Sequence, residues 1–391
     1  MKNKTIKQEF ENSKVFTLAR EKFPIMELLQ AHLIKDGKMA DKTIGWNCHL
    51  TSITAVAANV LLTAGAKLYM SECNPSTSED IAIEYMQTQG ATIYKGGGAK
   101  EEVLSKSCHV ISDTGLDLIS TYLQKESLHK FGENLSGACE ITTSGITRLR
   151  KLKDLPFPVI NLNDGVIKSR IENFHGVGEG MVEALNSLIG KTWQDKTIGV
   201  VGYGYVGAGT ARYLSLEGAN VVVAEIDPVR ALLAHYDRFS VSSLNDLAAI
   251  CPIIITATGQ SNLLDEHFFD RCLDGVLIVN AGHWSDEINL TLLASLATEI
   301  DETKPGIKTF LLKKSGKKIS IALDGNPANV VLLTGSIEPT LLHLTSEILS
   351  MAYLINQSNT QRLAFGELKV PDAVEYTVGN LALEALGHRA D

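Results

Sequence analysis

Residues 197–218 read TIGVVGYGYVGAGTARYLSLEG, an apolar run that breaks on glycines and resumes with helical spacing. Thr197–Val201 has the make-up of a buried strand, and the glycine turn Gly202-Tyr203-Gly204-Tyr205-Val206-Gly207 opens a helix. The first glycine allows the tight turn and the second lets the backbone approach a pyrophosphate. The third lets helix and strand pack closely, which leaves the helix N-terminus aimed at the phosphates. A second strand, Asn220–Ala224, ends in Glu225-Ile226, with the acid 18 residues past Gly207. An acid there accepts both ribose hydroxyls and repels a 2′-phosphate. Strand, turn, helix and acid in register predict a dinucleotide site that takes NAD rather than NADP.

Working outward, PIIITATG and VLIVNAG continue the strand-and-helix alternation, for five or six strands from about 178 to 334. Thr258-Gly259 and Ala281-Gly282-His283 stand at their carboxyl ends, where ligands bind in such sheets, so His283 is a candidate catalytic group at the mouth of the site. Upstream, Ala66–Met70 leads to CNPSTSED, Gly90–Tyr94 to KGGGAKEE and Cys108–Ser112 to DTGLDL; Pro156–Asn161 is a further strand. Lys42 to Gly65 reads as a short polar strand or loop followed by a buried helix. Lys168 to about Ile189 has helical spacing, and the chain from Glu338 on is mainly helical. The alternation implies an α/β fold with largely parallel sheets.

The 391 residues are 45% apolar and 21% charged, which excludes a disordered chain or a disulfide-stapled mini-protein. Lys+Arg 36 against Asp+Glu 45 gives a net charge of −9, and aromatics are 6%. Such a chain argues against nucleic acid or an anionic membrane as a partner. The N-terminal MKNKTIKQEFE has no apolar core and is no signal peptide. Six scattered cysteines without a CxxC pair fit reduced thiols in the cytoplasm, and ten histidines without an HxxxH pair predict no metal.

The order of WNCHLTSITA, CNPSTSED, YKGGG, SDTGLDL, ACEITTSGITRL, VINLNDGVIKSRIENFHG, VGYGYVGAG, AEIDP, TATG and VNAGHWSDEI resembles the adenosylhomocysteinase family, from about residue 14 to 345. The resemblance implies two Rossmann-like three-layer domains, with an NAD domain (176–336) inserted into a split substrate domain (1–175 and 337–391). It also implies a homodimer or homotetramer acting on S-adenosylhomocysteine or a related nucleoside thioether. In that chemistry the 3′-hydroxyl is oxidised, the C4′ hydrogen becomes acidic, the thiol leaves from C5′, water adds, and the ketone is reduced again. The alternatives are an altered-substrate nucleoside 3′-oxidoreductase or lyase, and a non-catalytic NAD-binding relative.

Residue by residue, the resemblance implies catalytic roles for His49, Asp113, Lys168, Glu172 and His283. It implies substrate contacts from Thr51, Asn74 and Glu140. Contacts to the cofactor fall to Thr142, Thr143, Ser144, Asn173 and Asn329, beside Gly202, Gly204, Tyr205, Val206, Gly207, Glu225, Ile226, Thr258, Gly259, Ala281 and Gly282. There are departures. Thr114 stands where the family has an aspartate used as acid/base, Ile141 where a glutamate grips the ribose, Val177 for a cysteine, and Ser336 for a histidine at the adenine. In the glycine turn, Tyr205 and Ala208 replace an aspartate and a lysine. The final EALGHRAD lacks a basic-aromatic tail, from which a freely exchanging NAD is expected.

Overall fold

The computed structural model describes residues 2–282, 285–357 and 363–388. The chain divides into two compact units, Met1–Glu172 with Ile337–Asp391, and Asn173–Ser336. In chain order the strands are β1 (Thr43–Cys48), β2 (Lys67–Glu72), β3 (Thr92–Tyr94), β4 (Val110–Asp113), β5 (Ala138–Glu140), β6 (Pro158–Asn161), β7 (Thr197–Val201) and β8 (Asn220–Ala224). They continue with β9 (Ser240–Ser242), β10 (Ile253–Thr256), β11 (Val276–Asn280), β12 (Ala297–Lys304), β13 (Ile307–Leu312), β14 (Lys318–Ala322) and β15 (Gly366–Lys369).

The first unit is a seven-stranded sheet in the order β15-β6-β5-β4-β1-β2-β3, with every pairing parallel. β1, which the sequence presents as a polar strand or loop, is buried along its whole length near the middle of the sheet. Its polar groups are matched rather than solvated. Asn47 donates to Asp113 Oδ1 at 3.1 Å and to the Thr114 carbonyl at 3.2 Å, and it accepts the Ser71 hydroxyl at 3.0 Å. A buried amide so bonded escapes most of its desolvation cost. The helix Ile337–Gln357 packs Leu341, Leu344, Ile348 and Met351 into the same core as Trp46 and Leu61. Each such side chain contributes roughly 1.5–3 kcal/mol on burial.

The second unit holds an eight-stranded sheet, β12-β13-β14-β11-β10-β7-β8-β9. β12, β13 and β14 pair antiparallel at one edge; the other pairings are parallel. This edge and the three-residue β9 carry the sheet beyond the five or six strands expected. The added sequence ATEIDETK is mostly polar, with Glu299, Asp301 and Glu302 exposed, as an edge strand facing water requires.

Between β6 and the helix Val177–Ile189, residues Ile167–Gly176 are wound as a π-helix, with bonds from i to i+5. Helical spacing from Lys168 to Ile189 does not reveal this change of winding. Such segments are rare and concentrate at functional sites.

Candidate active site

In the first unit the chemistry gathers at the carboxyl ends of β1, β2 and β4. His49 follows β1 directly, and its Nδ1 lies 2.7 Å from Thr77 Oγ1. The Thr77 hydroxyl donates its own hydrogen to the Asn74 carbonyl at 2.8 Å. Thr77 therefore receives the Nδ1 proton, which makes Nε2 the nitrogen with the lone pair. Burial, and then the positive charge of Lys168, push His49 down to about 4, so the imidazole is neutral at pH 7. Asn74 caps the turn Pro75–Thr77 by accepting the Ser76 N–H at 3.0 Å. Thr51 is the N-cap of the helix Ser52–Thr63, its hydroxyl accepting the Thr54 N–H at 3.3 Å.

On the π-wound segment, Lys168 Nζ and Glu172 Oε2 form an ion pair at 2.5 Å, with side chains only 11% and 13% exposed. A pair so sheltered from water is not the ordinary solvated i,i+4 contact. Lys168 also acts electrostatically on His49, His343 and Glu347, so these groups share one neighbourhood.

Asp113 and Glu140 are both fully buried and turn inward. Asp113 accepts the Thr114 and Ile119 N–H groups at 2.9 Å each, besides Asn47. Glu140 accepts the Gly115 and Leu116 N–H groups at 3.1 and 2.8 Å, and the Thr142 N–H and hydroxyl at 2.8 and 2.6 Å. Gly115 (φ 81°) and Leu116 (φ 66°) are left-handed, and these bonds brace that turn. Burial, and then neighbouring like charges, raise both acids above the usual carboxylate range. Thr142 caps the helix Thr143–Leu149. Thr143 donates to Asn163 at 2.9 Å, and Ser144 lies against Thr142 at 3.2 Å.

In the second unit, β7 runs into a glycine turn whose geometry tests the dinucleotide reading. Gly202 has φ 95°, and a Cβ there would stand 2.8 Å from the Ala257 carbonyl; one on Gly207 would stand 2.0 Å from the Gly202 carbonyl. Both glycines are needed by the protein itself. Gly204 is different: among the described residues, the nearest group that a Cβ there would meet outside its own turn and helix is the Arg230 guanidinium, at 3.8 Å. It caps the helix Tyr205–Leu216 without a side chain, which leaves the helix N-terminus open to a phosphate. Tyr205 and Val206 begin that helix. Glu225 accepts the Tyr203 N–H at 2.6 Å and the Asp227 N–H at 2.9 Å, and Ile226 beside it is 98% exposed. Asn329 Oδ1 is buried without a partner among the described residues. An open cradle and an orphaned amide oxygen fit a bound dinucleotide. Asn173 is buried; His283 lies outside the described residues.

Two groups escaped the sequence reading. Glu287 is buried and accepts the Thr258 N–H and hydroxyl at 3.1 Å each and the Gly259 N–H at 2.7 Å. Its Oε1 would lie 1.6 Å from a Cβ on Gly282, so it joins the loops after β10 and β11, Ala281 included. The only signal was an acid in the HWSDEI stretch. Arg230, in the helix Pro228–Tyr236, brings a cation beside Gly204; a lone arginine after AEIDP gives no such hint. Among the described residues no three His, Cys, Asp or Glu side chains are grouped to hold a metal, and no helix is long and apolar enough to cross a membrane.

The family described as S-adenosyl-L-homocysteine hydrolase, NAD binding domain, matches residues 173–335. An adenosylhomocysteinase of Thermosynechococcus vestitus is 32% identical, over 95% of this chain and 89% of that protein. S-inosyl-L-homocysteine hydrolases of Methanococcus maripaludis and Methanothermobacter thermautotrophicus are 31% and 29% identical, over 95% and 97% of this chain and 91% and 93% of their own lengths. The glycine cradle thus belongs to an NAD-binding domain, and the chain is a divergent member of the adenosylhomocysteinase family.

Proposed function

We propose that the chain is an NAD-dependent hydrolase of nucleoside thioethers, splitting an S-adenosyl- or S-inosyl-L-homocysteine into nucleoside and homocysteine. The observation that carries this is the sheltered Lys168–Glu172 pair beside a neutral His49. Bound NAD supplies the two-electron oxidation of the 3′-hydroxyl and the return of those electrons, so the reaction is redox-neutral overall. Glycines 202, 204 and 207, the N-terminus of Tyr205–Leu216, Arg230, Glu225 and Asn329 would hold it. Glu172 accepts the ribose hydroxyl and Lys168 relays its proton. His49, with its lone pair on Nε2, exchanges a proton at the 5′ side. Asp113 and Glu140 act by bracing the 113–116 turn rather than by direct contact.

Incubation with NAD and either thioether, assaying free thiol, tests the proposal. Thiol release from at least one supports it, and none from either rejects it. The inosyl substrate has its own support: Ser336 replaces the histidine implied at the adenine, and several relatives carry the S-inosyl name. A homo-oligomer is part of the proposal. The helix Pro228–Tyr236 turns Val229, Leu232, Leu233 and Tyr236 outward, an apolar stripe of the kind that marks protein contacts. Light scattering on Leu232→Glu/Tyr236→Glu against the parent chain checks it.

A further inference from the structure

We propose that His343 and Glu347, on the helix Ile337–Gln357, supply the acid/base step that a threonine at position 114 does not. His343 is the base and Glu347 the residue that positions it. This rests on the hydrolase reading above.

The argument starts at β4. A threonine hydroxyl does not titrate in the working range, and Thr114 Oγ1 is buried without a partner among the described residues. Two residues earlier, Ser112 donates its hydroxyl to Glu347 Oε1. Trp46, opposite Ser112 in the β1–β4 register, donates its indole N–H to the same oxygen at 2.7 Å. Strand alternation sends Asn47 and Asp113 to the other face, where they bond to each other. Thus Oε1 of Glu347 is pinned by two donors from two strands. Among the described residues Oε2 has no hydrogen-bond partner, and it faces Nε2 of His343, one helical turn away at 3.6 Å.

That spacing exceeds a hydrogen bond, but acid/base contacts are often long before substrate binds and tighten with it. A carboxylate that orients one imidazole nitrogen leaves the lone pair on the other. Here the other nitrogen, Nδ1, is buried and has no partner among the described residues. Three orphaned polar atoms (Thr114 Oγ1, Glu347 Oε2 and His343 Nδ1) depart from the usual rule that buried polar atoms are paired.

The charges facing the pair fit a base. Lys168, on the π-wound segment, acts electrostatically on both residues. Burial and then this cation hold His343 well below its ordinary value, so it is neutral. Burial lifts Glu347 to about 7 against the Ser112 and Trp46 donors and Lys168.

In the step, Nδ1 of His343 takes the C4′ proton of the 3′-keto thioether. The C–H electron pair forms the C4′=C5′ bond, and the C5′–S bond breaks with its pair on sulfur. The imidazolium then returns the proton to the thiolate, so atoms and charge balance.

The test measures three things on the full chain with NAD and a nucleoside thioether: absorbance at 340 nm, deuterium wash-in at C4′ in D2O, and thiol release. His343→Gln should keep the 340 nm change and lose wash-in and thiol release by about 10²–10⁴-fold. Glu347→Gln, an isostere that still accepts from Trp46 and Ser112, should lose tenfold or more and flatten the pH profile of wash-in; Glu347→Asp should restore part of both. Should His343→Gln not fold, the Glu347 variants decide. Wash-in at the parent rate in Glu347→Gln overturns the proposal and leaves the pair as a tie between helix and sheet. Absence of any 340 nm change or thiol in the parent chain instead overturns the hydrolase reading.

Discussion

Glu225 Oε2 accepts the Tyr203 backbone N–H at 2.6 Å, so the acid that ends β8 is tied to the glycine turn that ends β7. One carboxylate thereby fixes the turn, and in the proposed function the same charge faces a ribose. Glu225→Gln is expected to weaken NAD binding about tenfold, the worth of one charge-assisted hydrogen bond, and to narrow the preference over NADP. Calorimetric titration with both nucleotides measures it; an unchanged ratio removes Glu225 from nucleotide selection.

Gly204 and Gly207 separate folding from binding. Gly207→Ala drives a methyl into the Gly202 carbonyl and should destabilise the unit by about 1–3 kcal/mol. Gly204→Ala meets the tip of Arg230 at an ordinary contact distance, so it should melt like the parent chain yet bind NAD at least tenfold more weakly. Thermal melts with and without NAD distinguish the two. Equal melting shifts on adding NAD to the parent and to Gly204→Ala would show that no phosphate comes near Gly204.

The Lys168–Glu172 pair makes opposite demands on its members. Lys168→Met should lower thiol production by about 10²–10⁴-fold. Glu172→Gln strands an ammonium that is only 11% exposed and should cost about 3–5 kcal/mol of stability as well, read by denaturant unfolding. A Glu172→Gln chain as stable as its parent would mean that the ammonium finds water.

His49 sets a pH dependence whose sign is fixed. Its folded value, about 4, lies below the ordinary 6.5 through burial and Lys168. The folded chain therefore binds fewer protons than the unfolded chain between those values. Stability is complete above about 6.5 and is lost as the pH falls toward 4. His49→Gln should flatten that stretch of the melting-temperature curve; an unchanged slope would assign the acid lability elsewhere.

Much of the fold is legible in the sequence because apolar runs ending on glycine, such as TIGVV and VLIVN, have few other uses. Glu225 is legible for the same reason: strand length and turn geometry set its distance from Gly207. Four things were not. The π-winding of Ile167–Gly176 leaves no mark, since apolar spacing at three and four serves either helix. β1 looks solvated until Asn47 finds Asp113 and Ser71. The Trp46–Ser112–Glu347 contact joins positions as much as 301 residues apart, and nothing local announces it. Glu287 is similar, an ordinary surface-type acid whose partners appear only when the loops after β10 and β11 meet.

The pairing of β15 with β6 has a consequence for biosynthesis. Glu367 and Asn161, which bond across that edge, are 206 residues apart, whereas the second unit is one unbroken stretch. A ribosome completes the NAD-binding unit while the earlier sheet still lacks its last strand and its long helix. Contacts of such high order form late and slowly, so the unit assembled first is the one that takes the nucleotide, and NAD is in a position to bind a nascent chain whose first unit is still unfinished.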